Sequence, residues 1–395
     1  MPCGKGPRGC SFPCAHPDGH HLGVAVDVIV AGLGAHGSAA AYHLAKRGAS
    51  VLGLERFARG HTLGSSGGLS RIIRLAYYEH PDYVPLLRRA WDLWRELERS
   101  SGETLLTQTG GLYAGAPAGE LMSGSLASAR THRLAHEVLD AAALRRRFPL
   151  FEWPDGWIGL HEEQAGWLAP ERAIETHLRE AERHGAALRF AEPVERWEPT
   201  NDGVRVTTAA GGYDAQRLVI AAGAWLGRLV PLLAPHLWVE RNVLFWLEPR
   251  AERDAFAKLP VYIVEEPTGF FYGFPYDVAH GLKVAALHHG ARVDPDTVDR
   301  EIHEADERRV REWVRRRMPL GEGARREAKV CLYTVSPDAH FVIDAVPDHA
   351  NVVFASACSG HGFKFASVVG EILADLALDG RTVHPIRFLG AGRLG

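Results

Sequence analysis

The chain has 395 residues, 46% of them hydrophobic and 24% charged, with 45 Lys and Arg against 48 Asp and Glu for a formal net charge of −3. Such a chain can bury a core large enough for two domains without disulfide staples, and its balanced charge leaves no electrostatic footprint for nucleic acid or an anionic membrane. The cysteines Cys3, Cys10, Cys14, Cys331 and Cys358 are odd in number and lack a repeated spacing, which argues against a secreted disulfide framework and for a reducing cytoplasm.

Residues 1–23 hold three of those cysteines with His16, His20 and His21, but no apolar core of the kind a signal peptide needs. A flexible extension without a metal site is expected, because the cysteine spacing is not a paired C-x-x-C. The longest apolar stretch, 218–239, is interrupted by Arg228, Pro231 and Pro235, so no membrane span is expected.

Residues 27–31 read as a strand that feeds the turn Gly32-x-Gly34-x-x-Gly37, ahead of a helix over 38–47 that Gly48 stops. Missing side chains let backbone N–H groups approach a pyrophosphate, and the helix turns its positive end toward it. A second strand over 50–54 ends at Glu55, about twenty residues beyond the turn, where a carboxylate can bond a ribose 2′-OH and disfavours a 2′-phosphate. A dinucleotide is expected there. The turn alone does not choose between NAD and FAD, since both carry an adenosine pyrophosphate.

The glycine- and serine-rich stretch 64–68 leads into Arg71-Ile72-Ile73-Arg74. Its two arginines share a face if the segment is helical and point to opposite sides if it is extended. Over 83–99, Val84, Leu87, Trp91, Trp94 and Leu97 fall at helical spacing and read as a core stripe. Strand-like runs follow at 111–113, 188–190, 204–207 and 218–222, the last ending in Gly223-Ala224-Trp225. The β-branched and aromatic stretch 239–293 predicts an antiparallel sheet, hence a second domain. Residues 301–317 mix Arg with Glu and Asp, as a solvated helix does. Finally a strand at 351–358 runs into Ser359-Gly360-His361-Gly362-Phe363-Lys364-Phe365 and a helix over 366–378 with Gly380 as its stop. Two turns ready for anions suit a long dinucleotide whose redox ring lies far from its adenine.

These motifs, with Phe271-Tyr272-Gly273-Phe274-Pro275, Gly281-Leu282-Lys283, Asp294-Pro295-Asp296-Thr297 and Cys331-Leu332-Tyr333-Thr334 before Pro337-Asp338, occur in an order that resembles the monomeric sarcosine oxidase family. That family includes N-methyltryptophan oxidase and pipecolate oxidase, flavoenzymes of the glycine and D-amino-acid oxidase group, and the likeness covers nearly the whole chain after Val24. It implies an α/β Rossmann-like FAD-binding domain built from 24–110, 165–238 and 325–395. A mainly antiparallel α+β substrate domain, 111–164 and 239–324, would be inserted within it.

The resemblance implies contacts to FAD from Gly32, Gly34, Gly37, Glu55, Arg56, Ser65, Arg71, Gly360, Gly362, Phe363 and Lys364, and a bond from the Cys331 sulfur to the flavin 8α carbon, with Cys358 the competing thiol. It makes Arg74 and Lys364 the grip on a substrate carboxylate, with Tyr333 beside them. Arg71 would lie near the flavin ring, Lys283 would activate oxygen, and Tyr272 would line the pocket. Two positions depart from the pattern. Leu287 stands where the family has a histidine four residues after the lysine, so that His288 reaches the pocket only through a bulge, and Gly67 replaces another histidine.

The implied reaction is oxidation of a secondary or N-methyl amino acid, with hydride passing to FAD, the imine hydrolysing in water and O2 leaving as H2O2. The alternatives are an FAD-dependent dehydrogenase with another acceptor and a non-catalytic flavin-binding protein. The expected partners are a small amino-acid substrate and O2, acting on a monomer.

Overall fold

Val28, Ile29 and Val30 are fully buried in the strand Val26–Ala31, because this strand runs through the middle of a sheet covered on both faces. The structure, a computed structural model, describes residues 26–395, and the extension expected at 1–23 lies outside the described residues. The central strand pairs in parallel with Val51–Leu54 on one side and Gly211–Ile220 on the other. This eight-stranded sheet also takes in Ala187–Arg189, the antiparallel pair Val194–Thr200 and Gly203–Thr208, and the C-terminal strands Val342–Val346 and His349–Ser356.

The helices Pro170–Arg183 and Ala366–Asp379 each pack against Ala35–Lys46. Gly370 makes the closest crossing, since a Cβ there would collide with Ala39. Tyr83–Ser101 joins this layer through Val84, Leu87 and Trp94, as its helical spacing predicted.

The second sheet has nine strands, antiparallel except where Val261–Glu266 meets Gly111–Gly115. The stretch 325–335, expected in the nucleotide-binding unit, belongs here instead. Arg325–Val335 lies along Trp238–Leu247 in an antiparallel ladder, with Cys331 opposite Asn242, and that long run of cross-strand bonds outweighs its sequence proximity to the C-terminal nucleotide-binding elements. Arg71–Ile73, Gly166–Leu168 and Leu106–Gln108 form a small third sheet. Its first strand settles the geometry of the arginine pair: the segment is extended, and Arg71 and Arg74 go to different neighbours.

Among the described residues no helix is long and apolar enough to cross a membrane, and no group of three or more His, Cys, Asp or Glu could hold a metal ion.

Candidate active site

A cavity of ≈ 500 Å³ reaches from the first glycine turn to the second and on to Arg74, Tyr272 and Tyr333. At its nucleotide end the helix starts at Ala35, earlier than the spacing suggested, and no side chain caps its first amides. Those amides are free for an anion. Gly32 has φ 91, and a Cβ there would lie 2.6 Å from Ala221 O; one on Gly37 would collide with the carbonyl of Gly32, whereas Gly34 faces open space. Glu55 Oε2 accepts from the Leu33 amide at 2.8 Å and Oε1 from Phe57 at 3.0 Å. Burial opposes its ionisation, but His61 and those amides together hold the carboxyl below its usual range. Arg56 lies 4.8 Å over Trp225 and pairs at 3.0 Å with Asp296, which also accepts from Trp225 Nε1 at 2.7 Å.

The second turn closes the other side. Gly360 has φ +76, with the Tyr333 ring 3.0 Å from where a Cβ would stand, and a side chain on Gly362 would collide with Ala357 O. Phe363 stacks on Trp94 at 6.1 Å, and Trp94 Nε1 donates to Lys364 O at 2.9 Å. Trp94 is therefore more than packing, since it fixes the main chain that carries Lys364.

Where the redox ring is expected, Arg71 donates to Ser65 O at 3.0 Å, Ser70 O at 2.9 Å and Gly67 O. The same Nη2 lies 3.4 Å from Cys331 Sγ, and this thiol, 1% exposed, donates to Ser65 O at 3.3 Å. The cation beside Cys331 is thus Arg71. Cys331 sits just behind the cavity wall, while Cys358 is on it. Ser65 Oγ and Thr334 Oγ1, of two lining residues, are buried without a hydrogen-bond partner, which suits a ligand bearing polar groups along this wall.

Lys283 donates to Gly68 O at 2.6 Å, Ser70 O at 2.7 Å and Ser70 Oγ at 3.1 Å. It stands behind the wall formed by Phe274, 4.5 Å from that ring's centre. Burial, reinforced by Arg71, pushes its amine far below the ordinary lysine range. Two carbonyls and a hydroxyl that can turn to donate also satisfy a neutral amine.

At the far end Arg74 and Lys364 line one space with Glu79, Tyr78 and His361. Lys364 donates to His361 O at 2.6 Å, and burial together with Arg74 lowers it to about 7. His361 Nε2 lies 2.9 Å from Ala339 O, so it carries the proton and Nδ1 accepts from Tyr77 OH at 2.5 Å. Tyr272 OH and Tyr333 OH are 3.2 Å apart. Burial, with Cys331 adding to it, raises both phenols above the usual tyrosine range. Ile72, Ile263, Phe270 and Phe274 make the apolar walls.

His288 does not belong to this set. Leu287 lines the cavity, and the chain then turns at His288 with φ 53, placing its Nδ1 3.5 Å from Glu240 Oε2 outside the lining. The turn redirects the side chain that a bulge would have brought inward. Sequence reading also passed over Glu79 and His361. His361 sits inside a motif already singled out, but Glu79 carries no signal beyond its nearness to Arg74.

The described fold has known counterparts. A family model described as FAD dependent oxidoreductase matches residues 27–376. The monomeric sarcosine oxidase of Streptomyces avermitilis is 46% identical over 376 residues, covering 93% of this chain and 97% of that protein. The N-methyl-L-tryptophan oxidase of Citrobacter koseri is 37% identical over 355 residues, 89% of this chain and 94% of that one. Among solved structures, NikD, an amino acid oxidase of nikkomycin biosynthesis, superposes with a TM-score of 0.81 at 26% identity over 93% of this chain and 97% of its own.

Proposed function

The chain belongs to the FAD dependent oxidoreductase family, and from that premise we propose that it oxidises a secondary or N-methyl amino acid of the sarcosine kind, with O2 as electron acceptor. The observation that carries this reading is the shared cavity: Arg74 and Lys364 line the same space as both glycine turns. Relatives named for sarcosine and N-methyltryptophan oxidation support the substrate class.

When bound, FAD supplies the acceptor for a hydride from the substrate C–H and returns the electrons to O2 as H2O2, leaving an imine that water hydrolyses. The protein's part is to bind and orient. Arg74 and Lys364 take the carboxylate, each charge-assisted bond contributing about 1.5–3 kcal/mol. The apolar walls keep water out and favour the neutral amine, the form that can lose hydride. Tyr272 and Tyr333 border the substrate, Arg71 lies against the ring, and Lys283 serves the oxygen side with a fixed donor. Gly32, Gly34, Gly37, Glu55 and Arg56 hold the adenosine pyrophosphate; Ser65, Gly360, Gly362 and Phe363 hold the rest. Cys331 fastens the flavin through its sulfur. We read the protein further as a cytoplasmic monomer, in keeping with its balanced charge and the free thiols Cys331 and Cys358.

A peroxidase-coupled screen of the flavin-loaded protein against sarcosine, other N-methyl amino acids, pipecolate and proline tests the proposal. Peroxide with at least one of them is expected. Substrate-driven bleaching of the flavin that air does not reverse would replace the oxidase reading with a dehydrogenase, and no bleaching by any amine would leave a binding protein.

A further inference from the structure

Behind the strand Arg71–Ile73 runs a segment with a carboxylate on either side of a short strand. That strand, Gly166–Leu168, pairs antiparallel with Arg71–Ile73, Leu168 opposite Arg71 and Gly166 opposite Ile73. On one side, Glu171 Oε1 accepts from the amides of Gly68 at 2.7 Å and Leu69 at 3.1 Å. The carbonyl of that same Gly68 accepts from Lys283 Nζ at 2.6 Å. Leu69 is held at φ 68, in the left-handed region that a leucine seldom adopts, so the loop needs an outside hold.

On the other side, Glu162 is 1% exposed and accepts from Leu75 N at 3.0 Å, Ala76 N at 3.1 Å and Tyr113 OH at 2.6 Å. The carbonyl of that same Ala76 accepts from Arg74 Nη1 at 3.0 Å. The pattern is repeated at both ends: the residue whose amide is tied to a buried or half-buried glutamate presents its carbonyl to a basic side chain, Arg74 or Lys283. Neither glutamate has a hydrogen bond to the basic side chain concerned. Each meets it through the main chain, with the Coulombic attraction of Glu162 for Arg74 and of Glu171 for Lys283 beside that link.

We propose that Glu162 and Glu171 are positioning residues that serve different halves of the reaction, Glu162 setting Arg74 for the substrate carboxylate and Glu171 setting Lys283 for the oxygen side. The proposal rests on the roles given above to Arg74 and Lys283. It goes beyond them in assigning two acidic residues, neither with a hydrogen bond to Arg74 or Lys283, to opposite half-reactions.

Two readouts on flavin-loaded protein test it without requiring turnover of any amine. Butyrate, which has the length of sarcosine without its nitrogen, is titrated against the absorbance of the oxidised flavin, and flavin photoreduced in the absence of air is mixed with O2 in a stopped-flow instrument. Glu162→Gln is expected to weaken butyrate by about 10-fold and leave reoxidation within about 2-fold; Glu171→Gln is expected to do the reverse. Tyr113→Phe and Glu171→Asp disturb the same links more gently and should move the same readouts in the same directions, even where a glutamine variant fails to fold. Equal effects of both substitutions on both readouts, or a fall in melting temperature with neither readout changed, would overturn the proposal. Anaerobic mixing with sarcosine is kept separate: if the split holds while no amine reduces the flavin, the positioning roles stand and the substrate reading falls.

Discussion

Arg74 and Glu79 face one another at 2.6 Å, with the arginine 2% exposed and flanked by the rings of Tyr77 at 4.2 Å and Tyr78 at 4.9 Å. The burial of a guanidinium calls for a carboxylate partner, and Glu79 supplies it in the same cavity where a substrate acid would sit. Arg74 and Lys364 both hold Glu79 below the usual carboxylate range against the effect of burial, so the pair stays ionised. An incoming carboxylate therefore adds a second anion to a site where Arg74 already has a carboxylate partner, and Lys364 is the further positive group there.

Arg74→Ala should lower kcat/KM by about 10- to 150-fold, because a lost charge-assisted bond of about 1.5–3 kcal/mol converts at about 1.4 kcal/mol per decade. Steady-state peroxide assays on sarcosine and on butyrate-inhibited enzyme measure it. An unchanged kcat/KM would remove Arg74 from the site.

Lys364 has a pKa lowered to about 7 by burial and by Arg74. Its ammonium is present below that pH and lost above it, and a bound carboxylate raises the pKa. Affinity for butyrate should therefore fall as pH rises from about 7 toward the raised value. A titration series across that window checks the slope, and Lys364→Met should flatten it.

Cys331→Ser should release the flavin from the polypeptide, seen as loss of fluorescence from the protein band on a denaturing gel. Cys358→Ser should keep it. Retention in the first variant and loss in the second would move the attachment to the thiol on the cavity wall.

Lys283→Met should slow reoxidation of reduced flavin by about 100-fold, the usual cost of deleting one preorganised donor at a developing anion. Anaerobic reduction should change far less. Stopped-flow absorbance follows both steps, and reoxidation at the parent rate would end the assignment.

His288→Ala should leave kcat and KM within about 2-fold, since the side chain turns to Glu240 outside the cavity lining. Leu287→His, by contrast, alters the wall itself and should change KM.

Much of the nucleotide-binding half was legible in order along the chain. The apolar run, the spaced glycines of 32–37 and Glu55 are local signals, because strand, turn and helix dipole lie within one βα unit. The second turn at 360–362 was legible for the same reason. The placement of residues 325–335 was not, since a strand's partner is chosen by cross-strand pairing with residues far away in sequence, here Trp238–Leu247. The place of His288 outside the cavity lining goes with a single residue's backbone angle, which no periodicity encodes.

The sequence by itself determined two glycine turns, each joining a strand to a helix start as dinucleotide binding requires, and the order of its motifs pointed to a flavoenzyme family. Only the tertiary structure decided that Arg71 is the cation beside Cys331, that Arg74 is already paired with Glu79, and that Glu162 and Glu171 grip the loops that meet Arg74 and Lys283. The reason is range: turns and helix ends are fixed by neighbours along the chain, whereas charge pairing in a buried site is fixed by whichever groups the packing of distant elements brings within a few ångströms.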